Sequence, residues 1–294
     1  LGGLFLGGGM ALLVDTFDNK IRDTDEVESE VIPLLGIIPQ IKPLGGGNIA
    51  APPGGSLKLL ESSTDFGEAV RRLRSNLLIA RSGVPPQVLL VTSGNPGEGK
   101  STLSLNLALA LAQYGKKVML LEADLRRPVL KSRLHLKMSS GFSTFLANKS
   151  ANVQPEFIPE HPNLAALPAG PPPPYPSELL GSSPLQSIFD EWRKEYDFIV
   201  VDSPPVLPVA DSQILIAYAD ATVLIARIGV TTRIGLRRSY SLLLQHVKDP
   251  SQTAIGALIN GVSSRSDAYY GYYGSYESKG YYGYKSDSEE GNPS

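Results

Sequence analysis

The stretch from Gln87 to Thr102, QVLLVTSGNPGEGKST, constrains the fold of this chain more than any other. A short apolar run, Val88 to Val91, ends in a glycine-rich turn that opens directly into a helix-forming segment. The turn reads Gly94-Asn95-Pro96-Gly97-Glu98-Gly99-Lys100-Ser101, a complete G-x-x-x-x-G-K-S/T phosphate loop that Thr102 carries into the helix. In such a loop successive backbone N–H groups point inward and the following helix adds its positive N-terminal end. A polyphosphate is then bound by dipoles. Gly94, Gly97 and Gly99 permit conformations or close approaches that a Cβ would obstruct. Lys100 is placed to reach the β- and γ-phosphates, and the Ser101 hydroxyl to ligate Mg²⁺. A chance glycine-rich turn would not combine the whole motif with a strand before it and a helix after it. The stretch predicts a nucleotide site for ATP and Mg²⁺.

Composition closes off other chemistries. The absence of cysteine excludes disulfides, thiolate zinc sites and a cysteine nucleophile. Three scattered histidines give no basis for a His-based metal site. A formal charge of −2 and a pI near 6.0 give no electrostatic case for nucleic acid as a partner. Residues 1–14, LGGLFLGGGMALLV, are uncharged and largely apolar. A membrane-spanning helix needs ~20 such residues, and no basic leader or cleavage site marks a signal peptide. With Leu at its start, the run reads as the C-terminal end of a transmembrane helix whose beginning lies outside this sequence. The alternative is an apolar arm, flexible or buried.

Asp15 to Glu30 is charged and suits a juxtamembrane connector. Val31 to Ile41 is apolar but interrupted by Pro33 and Pro39, which predicts an extended conformation. Lys42 to Ser56 is a Gly/Pro linker. Asp65 to Ala80 is amphipathic, with Phe66, Val70, Leu73, Leu77 and Leu78 at the helical period and Glu68, Arg71, Arg72 and Arg74 on the other face. From Gln87 onward strands and helices alternate. Strands are predicted at Val88–Thr92, Val118–Ala123, Phe198–Asp202, Ala221–Ala226 and Ala254–Ile259. Helices are predicted at Ser101–Gln113, Pro128–Leu134, Pro184–Glu195, Asp211–Ala219 and Ile234–Val247, with Met138–Pro176 irregular.

The strands are nearly continuous apolar runs, as expected where helices cover both faces of a parallel sheet. The expected fold is a doubly wound α/β domain of P-loop NTPase type, its ligand at the carboxyl ends of the strands. Residues 263–294 hold Tyr269, Tyr270, Tyr272, Tyr273, Tyr276, Tyr281, Tyr282 and Tyr284 among Gly, Ser, Asp and Lys. With almost no aliphatics to bury, that tail is expected to be disordered. The division is therefore 1–14, truncated transmembrane segment; 15–64, connector and linker; 65–262, nucleotide-binding domain; and 263–294, tyrosine-rich tail.

Three carboxylates fall at strand ends that converge on the loop. Asp202 closes FIVVD, a Walker B pattern, where it can orient the hydration shell of Mg²⁺ beside Ser101. Glu122 and Asp124 end VMLLEAD, where a second carboxylate pair beside the γ-phosphate can deprotonate a hydroxyl or hold the metal. Arg126 and Arg127 follow them, either completing the site or serving as surface charge, and Asn260 after the last strand is a candidate contact for the base.

The combination SGNPGEGKS, LLEADLRRP and FIVVDSPP, followed by a C-terminal tyrosine cluster, resembles the bacterial protein-tyrosine kinases (BY-kinases) of the polysaccharide co-polymerase group. The resemblance covers essentially the whole chain; LVDTFDNKIRDTDEVE and PLLGIIP look like that family's link between its last transmembrane helix and its kinase domain. It implies an ATP-Mg²⁺-dependent tyrosine autokinase at the bacterial inner membrane, its kinase domain facing the cytoplasm. Lys100 would serve the phosphates, and Ser101, Asp124 and Asp202 the Mg²⁺. Glu122 or Asp124, in the second Walker A-like motif, would activate the acceptor tyrosine. Glu68, Arg71 and Arg74 match the E-x-x-R-x-x-R helix that packs on a neighbouring subunit and builds a homo-oligomeric ring. The tail tyrosines would be autophosphorylated between subunits, a tail of about 30 residues spanning ~30 Å. Implied partners are the polysaccharide export and polymerisation machinery and a tyrosine phosphatase.

Two departures matter. The commonest second motif begins with Asp where this chain has Glu122, which puts the carboxylate one methylene further out. Asn95 stands where partition and division-site ATPases carry a signature lysine, which argues against those relatives. The Glu122 departure sustains an alternative, a nucleotide-dependent assembly switch with little kinase activity. A third reading makes the tail an aromatic binding segment only.

Overall fold

The computed structural model describes residues 19–30, 32–40, 64–79, 84–148, 153–249 and 253–263. A short helix α1 (Asp25–Glu28) precedes strand β1 (Leu34–Pro39) and the long helix α2 (Thr64–Ile79). Then come β2 (Val88–Ser93), α3 (Lys100–Gln113), β3 (Val118–Glu122), α4 (Leu130–Arg133) and α5 (Phe142–Ala147). The hairpin β4 (Glu156–Ile158) and β5 (His161–Leu167) leads to α6 (Pro176–Ser182), α7 (Leu185–Glu195) and β6 (Phe198–Asp202). Helix α8 (Asp211–Leu215), β7 (Ala221–Arg227), α9 (Arg233–His246) and β8 (Ala254–Val262) complete the described chain.

The strands form one sheet in the order β1-β8-β7-β2-β6-β3-β5-β4, parallel throughout except for the β4–β5 pair. Every residue of β2, β3 and β6 is buried, so these strands need no polar face and read as unbroken apolar runs. Their side chains alternate between two cores. Leu89, Val91, Leu120, Val200 and Val223 pack with α2 and α3 on one face, while Leu90, Leu121, Val201 and Leu224 pack with α7 and α9 on the other. Helix α3 is apolar nearly all round because it is enclosed between the sheet and α2.

Two stretches differ from expectation. Residues 34–39, read as an extended part of the connector, form an edge strand parallel to β8, pairing Leu34 with Ala257 and Ile37 with Ile259. Pro39 is tolerated there because an edge residue needs no ladder donor. The Met138–Pro176 stretch is not irregular but contains α5, β4 and β5. In β5 the segment NLAAL lacks the β-branched residues that announce a strand, and its sheet position comes from register with Val118–Leu121.

Ahead of β1, the chain docks on the turn after β7. The Ile21 N–H donates to the Thr231 carbonyl at 2.8 Å, the Gly229 N–H returns to the Ile21 carbonyl at 2.8 Å, and Lys20 bridges Thr232. Among the described residues no helix is long and apolar enough to cross a membrane. The expectations for residues 1–14, for Lys42–Ser56 and for the tail tyrosines lie outside the described residues.

Candidate active site

Parallel strands bring β2, β3 and β6 to a common carboxyl edge, with Glu122 in register with Asp202 and Val91 beside it. At that edge β2 runs into the phosphate loop. Gly97 (φ 82°) and Gly99 (φ 111°) lie in the left-handed region. A Cβ on Gly99 would also sit 2.3 Å from the Asn260 amide nitrogen, so only glycine fits. Lys100 opens α3 and is 8% exposed. Glu98 is fully buried: one carboxylate oxygen accepts the Asn95 N–H at 2.9 Å and the other the Thr231 hydroxyl. Burial pushes its carboxyl above the usual range, while its hydrogen bonds and Lys100 pull it down.

The three predicted carboxylates are brought together, but they differ in their duties. The Asp202 side chain is buried; Oδ1 accepts the Ser104 hydroxyl at 3.2 Å and Oδ2 has no hydrogen-bond partner. Burial raises its carboxyl to about 7, against the Ser101 hydroxyl and the Lys100 charge, with Glu122 and Asp124 adding to the rise. Asp124 is 8% exposed, and its Oδ1 accepts the backbone N–H groups of Arg126 at 3.2 Å and Arg127 at 3.0 Å. Among the described residues its other oxygen carries no hydrogen bond.

Glu122 is occupied on both oxygens. Oε1 accepts the N–H groups of Val129 and of Leu130 (2.8 Å), and Oε2 accepts that of Ala169 at 3.0 Å. Burial raises its carboxyl, and these three amides oppose that. The extra methylene lets this carboxylate tie the start of α4 to the loop after β5.

Arg126 is equally committed, its Nε and Nη2 donating to the buried Asp211 at 2.9 and 3.1 Å and Nη2 also to Ser177 at 2.9 Å. Arg127 is exposed. No motif in the sequence marks Asp211 or Thr231; their roles come from partners 85 and 133 positions away.

The donor set suits Mg²⁺. The described residues contain no cluster of three or more His, Cys, Asp or Glu that would cage a metal. Mg²⁺ is usually held by one or two carboxylates with substrate phosphates and waters. The unpaired Asp202 Oδ2 beside the Ser101 hydroxyl provides hard oxygen donors of that kind.

Next to the loop lies an open cleft, walled by Ile38, Phe66, Leu103 and Leu258 with Arg227 and Asn260 at its polar side. Its apolar walls suit a flat base. On α2, Glu68 and Arg71 pair with each other at 2.8 Å. Arg74 donates to the Ala110 carbonyl at 3.0 Å, and its guanidinium lies 4.7 Å from the centre of the Tyr114 ring.

Comparison with known proteins gives consistent results. The AAA domain family matches residues 87–248. Over 218 residues the chain is 36% identical to the tyrosine-protein kinase YwqD of Bacillus subtilis, covering 74% of this chain and 90% of that one. It is 30% identical over 208 residues to the tyrosine-protein kinase Etk of Escherichia coli, covering 70% of this chain and 28% of Etk. The solved kinase domain of Escherichia coli tyrosine kinase ETK superposes with a TM-score of 0.71 at 28% identity, over 82% of this chain and 94% of that domain.

Proposed function

This chain belongs to the bacterial tyrosine-protein kinases, and on that premise we propose that it transfers the γ-phosphoryl group of ATP to its own C-terminal tyrosines, between subunits. The observation that carries this reading is Asp124, a carboxylate fixed through one oxygen and, among the described residues, without a hydrogen bond at the other, at the strand edge where Asp202 also lies.

The loop amides and Lys100 hold the β- and γ-phosphates. The tyrosine oxygen bonds to the γ-phosphorus as the bond from that phosphorus to the β–γ bridging oxygen breaks. ADP leaves, and the hydroxyl proton passes to Asp124. Glu122, with both oxygens bonded to backbone amides, holds the surrounding loops instead of taking the proton. Ser101 and the unpaired oxygen of Asp202 would hold Mg²⁺, which would supply positive charge to offset that of the phosphates.

The same reading extends to the setting. We place the kinase at the inner membrane, anchored through residues 1–14, acting on polysaccharide synthesis and export, assembled as a ring through the Glu68–Arg71 face, and reset by a tyrosine phosphatase. What supports this is the likeness of the connector and the tail to that family.

Mass spectrometry of the tail after incubation with ATP and Mg²⁺ tests the reading, beside a Lys100→Met control. Phosphotyrosine within residues 269–284 of the active protein only is the expected result. An unmodified tail in protein that binds ATP would overturn it in favour of the assembly switch.

A further inference from the structure

The phosphate loop is gripped from behind by the ends of β7 and β8. A trans peptide unit directs its C=O and N–H to opposite sides. The Gly97 carbonyl accepts from Arg227 Nη1 at 2.9 Å, which turns the Glu98 N–H of the same unit the other way. The Glu98 carbonyl accepts from Asn260 Nδ2 at 2.8 Å, which does the same for the Gly99 N–H. Between these two tethers the Glu98 side chain is fastened to Thr231.

The polarity of that contact is fixed. The Thr231 oxygen accepts the Arg227 N–H at 2.7 Å, so its proton is left to give to the Glu98 carboxylate. The other Glu98 oxygen takes up the Asn95 N–H at 2.9 Å, which withdraws that amide from any bound anion. Thr231 is fully buried and has no route to a ligand of its own.

We propose that Thr231, Arg227 and Asn260 are positioning residues for ATP, holding the Gly97–Gly99 peptide units so that their N–H groups face the phosphates. This rests on ATP occupying the loop. The brace acts before the nucleotide arrives, so its loss weakens ground state and transition state alike. That signature is a raised KM with little change in kcat.

Thr231→Val keeps the shape of the side chain and removes the hydroxyl. The expected result is an ATP KM raised about tenfold with kcat within about twofold of the parent. Mg-ADP binding, measured by calorimetry, should weaken by the same factor, and Thr231→Ser should restore both. Arg227→Met, at a partly exposed position, should raise KM about threefold and serves if Thr231→Val fails to fold. A folded Thr231→Val protein with the parental KM, or with a loss confined to kcat, would overturn the proposal. Lys100→Met separates the two premises. Parental ADP binding in that variant would refute nucleotide occupancy of the loop, whereas a silent Thr231→Val beside a defective Lys100→Met refutes the brace alone.

Discussion

Asp202 is kept in a place that a carboxylate would not choose. Its buried side chain ionises only near pH 7 in the ligand-free protein, against an ordinary carboxyl near 3.8. A carboxyl raised by folding favours the native state at low pH, and that contribution is lost as pH rises through the folded value. Asp202→Asn should therefore melt a few degrees higher than the parent at pH 8, with the difference gone at pH 4, while phosphotransfer is abolished. Thermal scans at the two pH values check this. Neighbouring carboxylates should separate in the opposite way. Asp124→Asn should lower kcat by about 10²–10⁴-fold with little change in melting. Glu122→Gln turns an amide donor toward backbone N–H groups and should destabilise the fold by about 1–3 kcal/mol, read by urea titration. The sequence singles out Lys100, Asp124 and Asp202 as candidates because local motifs carry them. It did not distinguish Glu122 from Asp124, because the amides that occupy Glu122 come from residues 7, 8 and 47 positions later.

Among the elements, the legible ones are those whose burial is complete. β2, β3, β6 and β7 are covered on both faces, so their apolar runs stand out against polar connections. β1 and β5 were obscured by chemistry that looks like loop: a proline just before and another at the end of one, small residues and a polar start in the other. What decides them is a neighbouring strand far along the chain, β8 for β1 and β3 for β5. β1 matters beyond its length, because Ile37 is buried in one core and Ile38 lines the cleft beside the phosphate loop. Truncating Ile37 to Ala should cost about 2–5 kcal/mol in denaturant unfolding, the amount typical of a buried isoleucine. The cleft is thus built partly from sequence that reads as a connector.

At the scale of the whole molecule, charge and topology act together. Each phosphotyrosine adds ~−1.5 to −2 charges, so eight in the tail would add ~−12 to −16 to a chain of formal charge −2. Such repulsion should weaken subunit association. Sedimentation should show a smaller assembly for the phosphorylated protein than for the unmodified one, and added salt should narrow the gap. β8 runs parallel to β7, and β7 to β2, so the chain leaves the sheet at Val262 on the edge where the phosphate loop begins. If the tail tyrosines are the acceptors proposed above, a tether at that edge would replace bulk concentration by an effective one, about millimolar for a short flexible linker. On that proposal each turnover within an assembly would be first order, its rate set by tether length and indifferent to how dilute the protein is in the cell.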